Sequence, residues 1–225
     1  ALMAHVSPYH APGFFEEALA KGKHRDIVGG RWEETGIIQM EMLEQYGLRP
    51  DHRFLDIGAG SLRLGCRLVP FLNPGNYGAT DVSGDLMRRG YDLELVEKER
   101  LPVEQLIEDA NFAFPGVTPD IDIALAFAVF THLPMNHLRQ GLMSVRRSFP
   151  RLQQFMFTVF LAPDAQTGMS PVRQPDGVVT HPTRTPYHIV AEDVRHFAQA
   201  AGFDVEIKDN RLPRGQILCI AKPSP

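Results

Sequence analysis

The 225 residues are 44% hydrophobic and 22% charged, the balance of a globular chain long enough to bury a core without disulfides or metals. A formal charge of -4 and a pI near 6.1 supply no basic excess for a nucleic-acid backbone. No run approaches the ~18 apolar residues of a membrane span, and no charged-then-apolar leader opens the chain. The expectation is a cytoplasmic protein with neither nucleic acid nor membrane as partner.

Taken in chain order, residues 12–22 predict a short helix with Phe14, Phe15, Ala18 and Leu19 on one stripe. Gly29-Gly30 breaks it, and a second helix runs from Trp32 to Tyr46 with Gly47 at its C-terminal cap. Residues 1–50 are thus an N-terminal helical extension or lid, and 51–225 form the main domain. In that domain 53–57 is an apolar strand, Gly58-Ala59-Gly60-Ser61 a tight turn, and 62–72 a helix. A strand over 77–82, a helix over 84–96 and a weaker strand over 103–108 follow. Residues 121–127 are nearly continuously apolar, as in a strand buried on both faces. Then come a helix over 136–149, a strand over 154–161, and a long loop over 162–186 without clear period. A helix over 191–201 capped by Gly202 leads to strands at 203–208 and 216–221. Cys66 and Cys219 lie in apolar stretches and are small core residues.

Strands alternating with helices imply an α/β fold with a doubly wound, mainly parallel sheet and right-handed crossovers. The connection over 209–214 is too short for a helical crossover, so the last two strands pair antiparallel. In such sheets ligands bind beyond the carboxyl ends of the strands, which singles out the residues found there. After the first strand, Gly58 and Gly60 let the backbone approach a ligand, while the next helix offers free N–H groups to a carboxylate. Asp81 ends the second strand, where it can accept hydrogen bonds from a ribose diol. Glu108-Asp109-Ala110 follows the third, where an acid can accept from a purine amine, and Phe127 to His132 follows the fourth. Asp81 and Asp109 also suit a second role as helix or turn caps, in which case Glu108 or Asn111 would meet the purine.

Together these residues resemble the class I S-adenosylmethionine-dependent methyltransferases, over roughly 53–222. Leu55-Asp56-Ile57-Gly58-Ala59-Gly60 is similar to that family's first motif, Asp81 to its ribose-binding acid, and Asp109-Ala110 to its adenine-contacting pair. Trp32 to Gly36, Ser61-Leu62-Arg63, Phe130 to Leu133 and Pro213 to Gln216 resemble a bacterial small-molecule subgroup. The resemblance implies a Rossmann-like sheet of seven strands in the order 3-2-1-4-5-7-6 with an antiparallel last strand. It implies S-adenosyl-L-methionine as cofactor, its methionine end at Gly58, Ala59 and Gly60, its ribose on Asp81 and its adenine on Asp109 and Ala110. Val82 and Phe127 join the expected cofactor-binding set and Asp56 orients the turn; Arg63 either pairs the carboxylate or faces solvent, and Trp32 either covers the cofactor from the extension or ties those helices to the sheet. Ser61-Leu62 departs from the family's further glycine, so a looser turn is expected there.

A small-molecule acceptor follows, methylated at a hydroxyl or an amine by direct displacement, with 162–186 as its substrate loop. A hydroxyl acceptor needs a base, for which His132 is a candidate, with His188 and Tyr187 at the end of the loop; Tyr187 and His188 equally suit packing roles, as His132 suits pinning its loop. His181 is expected to be exposed. No carboxylate cluster for a metal is seen, and a homodimer is one option for the assembly. Two alternatives stand: a cofactor-binding domain without turnover, and a nicotinamide-dependent oxidoreductase, whose third glycine would fall at Arg63.

Overall fold

The computed structural model describes residues 7–225. Its packing divides into two compact units, Pro12–Ala124 and Leu125–Pro225, the latter with residues 7–11.

In the first unit, α1 (Phe14–Ala20) and α2 (Trp32–Gln45) precede β1 (Phe54–Ile57), α3 (Gly65–Phe71), β2 (Tyr77–Asp81), α4 (Gly84–Leu93), β3 (Leu106–Glu108) and the start of β4 (Ile123–Ala126). All four residues of β1 and of β4 are buried, which explains why every one but Asp56 is apolar. β1 pairs parallel with β2, and β2 with β3. The Arg53 amide donates to the Asp122 carboxylate at 2.9 Å, and its guanidinium pairs with Asp120 at 2.9 Å.

α3 starts at Gly65, three residues later than the apolar pattern predicts. Leu62 accounts for this: its φ of 61° is left-handed, and its amide closes a turn onto the Ala59 carbonyl at 3.1 Å. The expected loosening is therefore absent. Leucine takes the conformation a glycine would, at a cost of about 1–2 kcal/mol, and complete burial of its side chain offsets that by about 2 kcal/mol. The late start also leaves α3 with 7 residues.

Ser83 caps α4 by accepting from the Leu86 amide at 3.2 Å. Gly90 sits in the middle of this helix for a packing reason. A Cβ there would fall 2.0 Å from the Ser61 carbonyl oxygen, backbone that cannot yield cheaply. Gly90→Ala is expected to cost about 3 kcal/mol and lower the Tm by roughly 6–12 °C in a thermal melt; an unchanged Tm would show that α4 does not seat against the turn.

The second unit carries α5 (Met135–Ser148), β5 (Gln154–Ala162), β6 (Val172–Arg173), β7 (Val179–Thr180), β8 (His188–Val190), α6 (Ala191–Ala200), β9 (Phe203–Arg211) and β10 (Ile217–Pro223). The strands follow the order β3-β2-β1-β4-β5-β10-β9, with β8 beside β5. β10 is antiparallel to both β5 and β9, as the short connection requires. The stretch 162–186 is not wholly irregular: β6 and β7 form a two-stranded hairpin within it. β8 is a further addition, pairing parallel with the end of β5 at Phe160↔His188. Among the described residues no helix is long and apolar enough to cross a membrane.

Candidate functional site

In the first unit the predicted cofactor residues converge at the ends of β1, β2 and β3. The Thr80 carbonyl accepts from the amides of Gly58 at 2.7 Å and Ala59 at 3.1 Å. One Asp81 oxygen accepts from the Gly60 amide at 2.8 Å and the other from Ser83 at 2.9 Å. The Asp109 amide donates to the Asp81 carbonyl at 2.8 Å, so the second and third acids stand at adjoining strand ends. All three turn amides are therefore used internally. What the turn offers a ligand is close backbone approach at exposed Gly58, not amide donors.

The carboxylate of Asp81 accepts backbone N–H groups through both oxygens, and the several lone pairs of a carboxylate let it accept further donors of the kind a vicinal diol supplies. Burial pushes its pKa up to about 6, against the pull of its backbone donors. Asp56 lies further inside: its carboxylate accepts from the Tyr77 hydroxyl at 2.9 Å, and burial pushes it up to about 7. The site therefore holds two reluctant anions, a setting suited to a ligand that donates hydrogen bonds or carries positive charge. Val82 is half-buried beside Asp81.

Asp109 behaves differently. Its oxygens accept from the amides of Asn111 at 2.9 Å and Phe114 at 2.8 Å, so it shapes the turn after β3. The capping role weighed for it is the one it takes, with Ala110 exposed alongside. Glu108 accepts from the Gly84 amide at 3.0 Å and adds negative field at Asp81.

The extension crosses the glycine turn on one side. Val28 occupies the space a Gly60 side chain would need, its Cγ1 2.5 Å from an ideal Cβ. The Ser61 hydroxyl donates to the His24 carbonyl at 2.6 Å. Arg63 donates to the carbonyls of Val28 at 2.8 Å and Gly30 at 3.3 Å, and to the Gln39 side chain at 3.4 Å. Its expected pairing with a ligand carboxylate thus competes with holding the extension. Glu94, the C-cap of α4, fastens the same segment, accepting from Arg25 at 2.7 and 2.6 Å and meeting His24 at 2.6 Å. The Trp32 ring is buried, with the Arg25 guanidinium 5.1 Å over it and the His24 ring edge-on at 6.3 Å. That ring ties the extension down rather than lying open to a ligand.

In the second unit, Phe127 is buried just beyond β4. Ala128 follows with a φ of 59°, held by the Thr158 hydroxyl, which accepts from its amide at 2.7 Å and itself donates to Gln216 at 2.6 Å. The Thr131 hydroxyl closes the turn on the Ala128 carbonyl at 3.0 Å. His132 then presents Nδ1 3.3 Å from the Thr185 hydroxyl, with the Tyr9 ring edge-on at 5.0 Å. Burial, and the positive charge of Arg214 after it, lower the His132 pKa to about 4.

His188 is not placed to act as a base. Its Nε2 donates to the Gly168 carbonyl at 2.8 Å and its Nδ1 sits 2.9 Å from the Thr180 hydroxyl, so both nitrogens are engaged. It fastens the 162–186 loop. His181 is buried, contrary to the expected exposure, because its amide and carbonyl join the backbone of Pro186 and His188. Tyr187 is buried too, its amide donating to the Thr131 carbonyl at 2.8 Å and its hydroxyl pKa raised by burial. Glu94, Thr158 and Thr185 escaped the sequence reading, since each acts across 30 or more residues. Gly90 had a visible signal, an isolated glycine inside a helical pattern. Among the described residues no group of three or more His, Cys, Asp and Glu side chains is arranged to hold a metal ion.

The parallel sheet with its antiparallel terminal pair, and the glycine turn capped by the acid of the neighbouring strand, define the class I methyltransferase fold. No protein-family model matches the chain. Solved structures similar to it include magnesium protoporphyrin IX methyltransferase from Synechocystis PCC 6803 with bound S-adenosylmethionine, at TM-score 0.58 and 14% identity over 85% of this chain and 79% of that one. DhpI in complex with S-adenosylhomocysteine is similar at TM-score 0.60 and 14% identity over 96% and 99%. The PH0226 protein of Pyrococcus horikoshii OT3 is similar at TM-score 0.63 and 15% identity over 93% and 99%. At such identities the likeness is one of fold.

Proposed function

We propose that this chain is an S-adenosyl-L-methionine-dependent methyltransferase that transfers the methyl group to a hydroxyl or amine of a small metabolite or sugar. The observation that carries the reading is the Asp81 carboxylate, buried at the end of β2, joined to the glycine turn through the Gly60 amide and still able to accept from a diol. Two fold neighbours crystallised with S-adenosylmethionine or S-adenosylhomocysteine support the choice of nucleoside.

Bound at the turn, the cofactor supplies a methyl group on a sulfonium, ready for displacement by a nucleophile. Asp81 takes the ribose hydroxyls, Gly58 admits the methionine end, and Val82 covers the base. Asp56 and Asp81 hold negative charge near a cationic ligand, which favours the sulfonium over the neutral thioether product and assists product release. His132 is the candidate base for a hydroxyl acceptor. Residues 162–186 form the acceptor loop, and residues 12–50 an extension over the cofactor; residues 1–6 of the expected extension lie outside the described residues.

Incubation with methyl-labelled S-adenosylmethionine and fractionated extract of the source cell is expected to yield a labelled small molecule. Binding of S-adenosylhomocysteine without any labelled product would favour a cofactor-binding domain without turnover. Micromolar NADH binding with no response to S-adenosylhomocysteine would overturn the proposal in favour of an oxidoreductase.

A further inference from the structure

We infer that Thr185 is a positioning residue that fixes the tautomer of His132, accepting a hydrogen bond from Nδ1–H so that the lone pair stands on Nε2. The inference rests on the proposed reading of His132 as a base.

A neutral imidazole carries one N–H and one lone pair, and the partner of one nitrogen decides the state of the other. Thr185 Oγ1 is 3.3 Å from His132 Nδ1, and among the described residues it is the ring's one hydrogen-bond partner. Nε2 is therefore the nitrogen left for an incoming acceptor. A base needs its lone pair there, so the hydroxyl must accept at Nδ1 rather than donate to it. The ring is neutral across the physiological range, since its pKa lies near 4, and the tautomer is then what separates a ring that can take a proton from one that cannot.

The contact is built, not incidental. Thr185 lies on the loop segment whose Tyr187 amide is bonded to the Thr131 carbonyl, one residue before His132. The His181 amide donates to the Pro186 carbonyl at 2.8 Å, which ties the same segment from its other side. The Tyr9 ring stands edge-on to the imidazole and limits its rotation. The aspartate of a serine-protease triad performs this office with a charge. A threonine does it without adding a negative charge, which would raise the histidine pKa and protonate the base.

The test is the two-bond proton–nitrogen correlation spectrum of the full chain labelled with ¹⁵N-histidine, with the His132 signals assigned by their loss in His132→Gln. The wild type is expected to show Nδ1 protonated and Nε2 bare. Thr185→Val, which keeps the shape and removes the acceptor, is expected to move the ring toward Nε2–H, and Thr185→Ser to restore the wild-type pattern. With an identified hydroxyl acceptor, Thr185→Val is expected to lower kcat about tenfold with cofactor KM unchanged, and Thr185→Ser to recover it. A wild-type ring protonated at Nε2, or a valine variant with an unaltered tautomer, overturns the inference. The wild-type spectrum alone decides if the valine variant does not fold. If the tautomer follows the expected pattern while His132→Ala leaves kcat untouched, the contact stands and the base reading fails.

Discussion

Asp81→Ala is expected to weaken S-adenosylhomocysteine binding by about 100-fold in calorimetric titration. The loss has two sources. The carboxylate accepts from the amides of Gly60 and Ser83, and alanine leaves both donors without their partner in a buried setting, at about 1–3 kcal/mol each where the backbone cannot relax. Removal of the charged acceptor also costs the ligand's diol its strongest hydrogen bonds, about 1.5–3 kcal/mol. Part of the first loss is borne by the free protein as well, so roughly 3 kcal/mol of binding energy remains at stake, which is about two decades in Kd. Asn is little better, because its NH2 group must face a backbone donor. Titration adds a second signature. The ionised form offers the diol more lone pairs, so affinity is expected to rise with pH through about 6 and level off above it. Stability runs the other way. A carboxyl raised from 3.8 to about 6 binds more protons folded than unfolded, so its contribution falls as pH rises through that window. A variant with Kd within about fivefold of wild type, or an affinity that falls with rising pH, would remove Asp81 from the cofactor site.

The parts of this fold legible in the sequence are those dictated by local pattern. β1 and β4 are buried end to end, and all their residues but Asp56 are apolar, while the connection between β9 and β10 excludes a crossover by length alone. The glycine turn and Asp81 could be placed because strand ends fix where ligands bind. What escaped was decided by dihedral angle or by distance along the chain. Leu62, Cys66 and Val69 keep helical spacing, yet the left-handed φ of Leu62 delays the helix, and spacing carries no information on φ. β8 is only 3 residues long and is held by its pairing with β5, not by an alternating pattern of its own.

The acids show the same limit. Asp81 ends its strand and Asp109 follows the next, and only the folded chain reveals that one accepts from the glycine turn while the other accepts from the amides of Asn111 and Phe114. Glu94 gave no sign of its role, since its partners His24 and Arg25 lie about 70 residues away. Among the histidines of the second unit, residue type gave equal claims to His132 and His188. The hydrogen bonds separate them: both nitrogens of His188 are engaged, and one nitrogen of His132 is left.

That open nitrogen makes His132→Ala the sharper functional test, with an expected fall in kcat of about 10²–10⁴ on a hydroxyl acceptor and a Kd for S-adenosylhomocysteine within about twofold of wild type. The two readouts must part, because the substitution removes a proton acceptor and leaves the glycine turn and Asp81 as they are. An alcohol is too weak a nucleophile to attack the methyl group unless its proton leaves as the bond forms. A ring whose conjugate acid has a pKa near 4 cannot hold that proton in advance, so it accepts it during the displacement, when the oxygen is becoming acidic. The pH profile follows from the same value. Since the base works unprotonated, its acid limb is expected near pH 4, below the 6.5 of an ordinary histidine, and the rate is lost only as pH falls through that point. An amine acceptor changes the outcome: once neutral it attacks without help, and the alanine variant should then lose little in kcat above the amine's own pKa. A large loss with an alcohol therefore assigns the base, a small loss with an amine assigns the acceptor class, and an unchanged kcat with an alcohol removes His132 from the chemistry.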